Sequence, residues 1–434
     1  MEFWRRNLYN LWIAQFLAMA GMSMVIPFLP YYIRDLGVTD PNELEKWSGL
    51  VFSGPFVLSF ILTPVWGMLG DKYGKKPMVM RAVVGLAISQ LLIGLSQNVF
   101  QLFVFRMVQG GISGFIASSL ALVSSNTPRE HSGYAIGVLQ SSISSGNVIG
   151  PMLGGFLADL TSHRTVFFIT SGLCVVSSVL VYFFVREQVV KSEKKPYNVF
   201  QNYKYVFSNA QLRLAMISIT LVQISISVSQ PIFALFIEGF KTETQYLSTL
   251  AGSIFGVMGV FTVISSPWWG KRNDSGKYKR NLFLAITGAS IAYMLHVVIS
   301  NPYQLFPIRA FLGFCIGGII PVFYSYINKN ISMDRKGGVM GIASSSTLFG
   351  NLLGPLLCTA LVMNIANKYI FLTAGLMMLI NGLVVLRNIK DIPNKADVIE
   401  SIDSDIKLST EQIVMNEKRQ REKFLNDKVL NDNK

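Results

Sequence analysis

Charge is scarce in this chain. Only 14% of its 434 residues are Asp, Glu, Lys or Arg, against about 25% in soluble proteins. No Asp or Glu falls in the middle of any long apolar run; the nearest acids, Asp35, Asp71, Asp159, Glu238 and Asp274, all stand at the ends of runs. Cysteine is scarce too. Cys174, Cys315 and Cys358 lie within apolar runs, which leaves no disulfide framework and no metal-ligand spacing, and reads as small apolar packing. The three histidines, His131, His163 and His296, are dispersed; His296 reads as a packed histidine ahead of a proton site. With acids and histidines so scattered, neither a catalytic residue cluster nor a metal site is expected. The phosphate-cradling glycine loop that would imply ATP drive is also missing.

What the chain has in excess is apolar length. It is 51% hydrophobic, with a mean hydropathy of +0.44, and its runs approach the ~20 residues that cross a bilayer. Twelve spans are predicted, at 10–33, 48–69, 78–96, 99–123, 134–158, 164–185, 213–237, 250–270, 281–300, 303–327, 338–361 and 368–386. Of 38 Lys and Arg residues, Arg106 and Arg309 lie well inside spans, away from their ends. Arg34, Lys46, Arg164, Lys241 and Lys368 lie on one side, and all the others on the opposite side. The basic side is cytoplasmic by the positive-inside rule, so both termini are expected inside. The net charge of +14 is thus a topology signal, and no nucleic-acid partner is implied. The first run is longer than a signal-peptide core and contains Pro27 and Pro30, so it reads as a retained span.

The chain also repeats itself at an offset of about 203 residues. Asn98-Val99-Phe100-Gln101-Leu102-Phe103-Val104-Phe105-Arg106 is echoed by Asn301-Pro302-Tyr303-Gln304-Leu305-Phe306-Pro307-Ile308-Arg309, and Pro64-Val65-Trp66-Gly67 by Pro267-Trp268-Trp269-Gly270. Gly146-Asn147-Val148-Ile149-Gly150-Pro151 returns as Gly350-Asn351-Leu352-Leu353-Gly354-Pro355. The predicted fold is all-α and membrane-integral, with twelve transmembrane helices in two pseudo-symmetric six-helix bundles. Residues 1–186 form the first bundle, 187–212 a basic cytoplasmic connector, 213–386 the second bundle and 387–434 a charged cytoplasmic tail. Tyr203, Tyr205 and Phe207 with nearby basic residues suit a short helix on the membrane surface. The tail reads as solvated and partly helical, with a partner-binding role left open. Facing duplicated bundles are the architecture of a carrier with alternating access.

Three motifs carry chemistry, all in the first half. After the second span stands Gly67-Met68-Leu69-Gly70-Asp71-Lys72-Tyr73-Gly74-Lys75-Lys76-Pro77, with Arg81 beyond. Gly67 and Gly70 permit close helix approach, Gly74 permits a tight turn, and Lys75, Lys76 and Arg81 hold the loop to the cytoplasmic face. In the fourth span Arg106 precedes Gln109 and Gly110. A charge there costs about 2.5–3.5 kcal/mol on insertion scales, so it faces a watery cavity or is satisfied by helix-end carbonyls. Arg309 is its duplicate without the Gln-Gly pair, and for it the two readings stand level. In the fifth span, Gly146, Gly150, Pro151, Gly154 and Gly155 make a bent, smooth helix suited to a hinge or a seal between the halves.

The first motif resembles the signature loop of the major facilitator superfamily, and Arg106-x-x-Gln109-Gly110 resembles a second signature. Gly146-x-x-x-Gly150-Pro151-x-x-Gly154-Gly155 resembles the antiporter signature of its drug:proton antiporters, the twelve-helix type. The segments Trp4-Arg5-Arg6-Asn7-Leu8-Tyr9 and Trp47-Ser48-Gly49-Leu50-Val51-Phe52 are similar to the MdtG-like group of bacterial multidrug exporters. The resemblance covers residues 4 to about 387. It implies that Gly67 and Asp71 dock a cytoplasmic gate against the eleventh helix, and that Arg106 influences proton transfer. It further implies a proton gradient as energy source with no cofactor, a small-molecule substrate, and a monomer in a bacterial inner membrane. The second copy of the gate loop, Gly270 to Lys277, lacks one residue before Gly276.

Without a buried carboxylate, a strictly cationic substrate is disfavoured. Gln15, Gln140, Asn147, Gln223, Gln230 and Asn351 are candidate polar contacts to a neutral, anionic or zwitterionic amphiphile. The expected activity is proton-coupled efflux of drugs or amphiphiles. A siderophore or metabolite carrier on the same scaffold is the alternative. A non-transporting receptor would show degraded motifs or an added folded domain. Glu238 and Asp35 at the outer mouth are weak candidates for carrying the proton.

Overall fold

The computed structural model describes residues 3–128, 131–187, 199–240, 246–273, 276–332, 335–391 and 415. Much of the expected connector (188–198) and tail (392–414 and 416–434) lies outside the described residues. All regular elements among the described residues are helices.

In the first half, α1 (Phe3–Met24) and α2 (Leu29–Asp35) form one span bent by 56°. Pro27 and Pro30 supply no backbone donor at this bend, so the helix cannot run through it. There follow α3 (Pro41–Tyr73), α4 (Lys75–Gly94), α5 (Val99–Ile112) with α6 (Phe115–Asn126), α7 (Ser132–Leu160) and α8 (His163–Phe184). Next comes the short α9 (Val199–Ser208), within the expected connector. The second half repeats the plan with α10 (Ala210–Val228) and α11 (Phe233–Glu238), α12 (Leu247–Asn273), α13 (Tyr278–Leu295), α14 (Leu305–Ile316) and α15 (Ile320–Lys329), α16 (Lys336–Val362) and α17 (Asn367–Asn388). The break between α5 and α6 falls at Gly114, whose φ of +113° suits a residue without Cβ. Helix starts follow local capping chemistry: Asp40, Asn98, Ser162 and Asn209 accept from the first-turn amides of α3, α5, α8 and α10.

Nine of these helical segments are long and apolar enough to cross a membrane, and the bent α1–α2 pair makes ten. The other two predicted spans coincide with α7 and α13. α7 is rich in serine and glycine because it packs chiefly against α1 and α12, and α13 opens on Lys279, Arg280 and Asn281.

The duplication is written in side-chain bonds. Trp66 Nε1 donates to the Gly111 carbonyl at 2.8 Å, and Trp269 Nε1 to the Phe314 carbonyl at 2.8 Å. Ser23 Oγ donates to the Gly146 carbonyl at 2.8 Å, and Ser227 Oγ to the Gly350 carbonyl at 3.0 Å. Each half has its own apolar core. A third core, at the end away from α9, is shared: Ala234 and Leu235 of α11 sit among Phe28, Tyr31, Val51 and Phe167 of the first half. We call that the far end, and the end bearing α9 the connector end. α9 shows one aromatic face, with Phe200 82% exposed and Phe207 56% exposed, while Asn202 and Val206 are buried.

Candidate functional site

The site is the seam between the halves. α7 meets α12, and α3 meets α16. The glycines of the fifth-span motif divide their work there. A Cβ on Gly146, Gly150 or Gly154 would meet α1 backbone or Ser23, so these three, spaced by one turn, fit α7 to its own half. A Cβ on Gly155 would instead meet the Ser248 carbonyl of α12. Pro151 stands on the same seam, since a Cβ on Gly252 would meet its carbonyl. Gly256 and Gly259 continue the line against Met152 and Val148. The motif in the sequence marks the α7 half of this zipper. It says nothing of the α12 half, Gly252, Gly256 and Gly259, although their spacing is that of a small-residue helix face.

Polar contacts then lock the far end. Arg34 on α2 donates to both carboxylate oxygens of Glu238 on α11, at 2.7 and 2.8 Å. Tyr31 Oη donates to the Ala234 carbonyl at 2.9 Å. Asp159, at the end of α7, accepts from the Thr249 amide at 2.7 Å, the Thr249 hydroxyl at 2.6 Å and the Ser248 amide at 3.3 Å. A carboxylate at the first turn of α12 meets both free amides and the positive end of the helix dipole. His163 bridges Asp35 (Nδ1···Oδ2 2.6 Å) and Ser248 (Nε2···Oγ 3.3 Å). On the other seam Asn367 donates to Glu45 at 2.6 Å.

Every hydrogen bond between described residues that joins the halves lies at the far end. Among the described residues, the ring pair that joins the halves is Phe60–Phe349, at 5.7 Å, midway along α3 and α16. The arrangement is therefore closed at the far end and unjoined, among the described residues, at the connector end.

The expected gate loop lies at the connector end, at the turn from α3 to α4. Gly74 ends α3 with φ +102°, and the Glu187 carboxylate accepts from the Lys75 and Lys76 amides at 2.7 and 3.0 Å. Lys76 Nζ reaches the Tyr182 carbonyl, and Arg81 lies 3.5 Å over the Trp66 ring while donating to the Ser113 carbonyl. All these partners belong to the first half. Gly67 and Asp71 are within α3, but their side-chain positions lie outside the described residues. Glu187, which ties the loop to the end of α8, carries no signal in the sequence beyond being an acid in a basic stretch.

Arg106 is half-buried. It donates to Gln109 Oε1 at 2.9 Å and to the Val51 carbonyl at 3.4 Å, so Arg-x-x-Gln is a bonded pair one turn apart. Gly110 is where α5 touches α3, since a Cβ there would meet Pro55 backbone. Arg309 is 2% exposed and points into the second half rather than the seam, with its guanidinium 3.8 Å over the Phe233 ring. Of the candidate substrate contacts, Gln15 is fully enclosed and so out of a substrate's reach in this state, while Gln140 and Asn147 are exposed. Gln223 donates to Asn351 at 2.7 Å, and Gln230 sits half-buried at the α10–α11 break.

The model of the Major Facilitator Superfamily matches residues 11–304 and 215–411, overlapping across the chain. The chain belongs to this superfamily. Within it, the chain is 34% identical over 384 residues to a Multidrug resistance protein MdtG from Rahnella sp. (strain Y9602), covering 87% of this chain and 92% of the relative. It is 33% identical over 377 residues to the protein of the same name from Salmonella typhimurium, covering 86% and 93%. Among solved superfamily structures, a point mutant of the nucleoside transporter NupG superposes with a TM-score of 0.72 at 12% identity over 88% of this chain and 98% of that one. The human organic anion transporter MFSD10 gives 0.68 at 16% identity, over 89% and 100%. At such identities these two structures speak for the fold alone.

Proposed function

We propose that this protein is a secondary transporter that exports drugs or drug-like amphiphiles, coupled to protons, by alternating access. One observation carries the efflux reading: about a third of residues are shared with multidrug resistance proteins over nearly their whole length. The full antiporter signature at Gly146–Gly155 supports the exchange of substrate against protons. The seam supplies the mechanism. It has a far end fastened by Arg34–Glu238 and Asp159–Thr249 and a connector end that no hydrogen bond joins among the described residues, where substrate would enter. On this reading the basic connector end faces the cytoplasm, with both termini on the cytoplasmic side of a bacterial plasma membrane. Opening the far end and closing the connector end would release substrate outside.

The driving force is adequate, since one charge crossing ~100 mV supplies about 2.3 kcal/mol. The test is reconstitution of the full chain in proteoliposomes with an imposed pH gradient and a varied dye panel. Substrate flux that collapses with the gradient, with substrate-induced proton movement, is expected. Absence of both across the panel overturns the proposal.

A further inference from the structure

Arg309 is the most deeply enclosed cation among the described residues, and its partners are unlike those of its duplicate Arg106. Nη1 meets only the Met258 thioether, at 3.6 Å. The plane of the group rests over Phe233, with Phe255 at 5.7 Å. Nε and Nη2 have no acceptor. These two atoms are the side edge of the guanidinium, the pair of parallel N–H donors that matches both oxygens of one carboxylate. His296 lies close to it, just past the end of α13. Its Nδ1 is taken by the Ala292 carbonyl at 2.8 Å and its ring stacks on Phe371, while its Nε2 is buried without a partner. Tyr293 stands beside both.

A buried guanidinium is costly unless an anion or good acceptors meet it. Aromatic faces offset part of that cost, yet they leave the in-plane donors unmet. No described acid is placed to meet them.

We propose that Arg309, with His296 beside it, is the docking point for the carboxylate head of an amphiphilic substrate, whose apolar body lies along Phe233 and Phe255. Access is controlled by α11. Phe233 is the first residue of α11 and covers the guanidinium. The helix before it is interrupted at 229–232, beside Pro231. α11 is fastened to the first half by Tyr31–Ala234 and Arg34–Glu238. Both bonds cross the seam, so once they are released the break at 229–232 leaves α11 able to turn and carry Phe233 off the guanidinium. The site is thus covered in the present state; substrate admitted at the connector end docks on it as the far end parts, and leaves from there to the outside.

This substrate class rests on the exporter reading, and the experiment separates the two. Dansylglycine and dansylamide share a ring system, and only the first carries a carboxylate. The full chain in nanodiscs is titrated with each by fluorescence, and flux of each is followed in proteoliposomes, for wild type, Arg309→Met and Arg309→Lys. Loss of a charge-assisted bidentate contact should weaken dansylglycine binding in Arg309→Met by about tenfold or more. Dansylamide binding should stay within about twofold, and Arg309→Lys should retain part of the preference. Thermal unfolding of each variant monitors folding. Equal effects on both probes, no effect on either, or no carboxylate preference in wild type overturns the proposal. Carboxylate-selective binding lost in Arg309→Met upholds the site even if no probe is transported, in which case it is the exporter reading that fails.

Discussion

Arg34 and Glu238 hold the two halves together through a bidentate pair across α2 and α11, at 2.7 and 2.8 Å. Both side chains are partly exposed, 40% and 32%, so the pair belongs with surface ion pairs that contribute about 0.2–1 kcal/mol. Glu238→Gln should therefore shift the population toward the state open at the far end by only about twofold to fivefold. Spin-label distances between the 36–40 and 296–300 loops would report the shift. The exchanged pair Arg34→Glu with Glu238→Arg should recover part of the closed population. No recovery would mean that the residues act separately.

Asp159 should matter more than the ion pair. Its three bonds all end on the first turn of α12, and it caps from the opposite half, so opening the far end strips α12 of this acceptor. Asp159→Ala should destabilise the closed state by about 1–2 kcal/mol, a shift of about tenfold in the same distance measurement. Asp159→Asn keeps one acceptor oxygen and should fall between. A shift from Asp159→Ala no larger than that from Glu238→Gln would remove the cap from the closing mechanism.

The antiporter motif yields two different phenotypes from one type of substitution. Gly150→Ala places a methyl against Ser23 and the Ala20 carbonyl inside the first half. Overpacking of that kind costs about 1–3 kcal/mol, so the unfolding temperature should drop. Gly155→Ala places its methyl against the Ser248 carbonyl across the seam. Each half is spared, so the protein should fold normally while failing to close at the far end and losing transport. Unfolding temperature and flux, measured together, separate the two; a lowered unfolding temperature for Gly155→Ala with seam distances unchanged would contradict the division.

The scaffold is legible in the sequence because bilayer length, charge asymmetry and the repeat each report a local quantity. Helix breaks at Pro27, Gly114 and Pro231 follow from the same local rules. The closing contacts are not legible in this way. Arg34 and Glu238 are 204 residues apart, and each looks like an ordinary helix-end charge until the halves are assembled. Asp35 and Glu238 read as acids at the mouth, whereas Asp159 and His163 read only as helix-end or scattered residues. Gln15 looks like a cavity amide because apolar context cannot say which face of α1 is enclosed. The two span arginines look alike in the repeat and differ in place. Arg106 has Gln109 one turn on to accept from it, while Arg309 has the apolar Leu312 at the matching position and turns to aromatic faces instead.

Arg106 gives the last prediction. Its partners are Gln109 and the Val51 carbonyl, so the guanidinium bridges α5 to α3 without a counter-charge. If it only ties these helices together, Arg106→Lys should restore most function, since an ammonium still reaches a carbonyl. If its fixed charge biases proton movement, Arg106→Gln should keep the bond to Val51 and lose coupling. We expect the second outcome: in Arg106→Gln, downhill substrate flux stays within about threefold while gradient-driven accumulation falls by about tenfold or more, each tenfold being about 1.4 kcal/mol of coupling. Flux and accumulation measured in the same proteoliposomes decide it. Parallel loss of both would make Arg106 a helix tie and leave the proton path elsewhere.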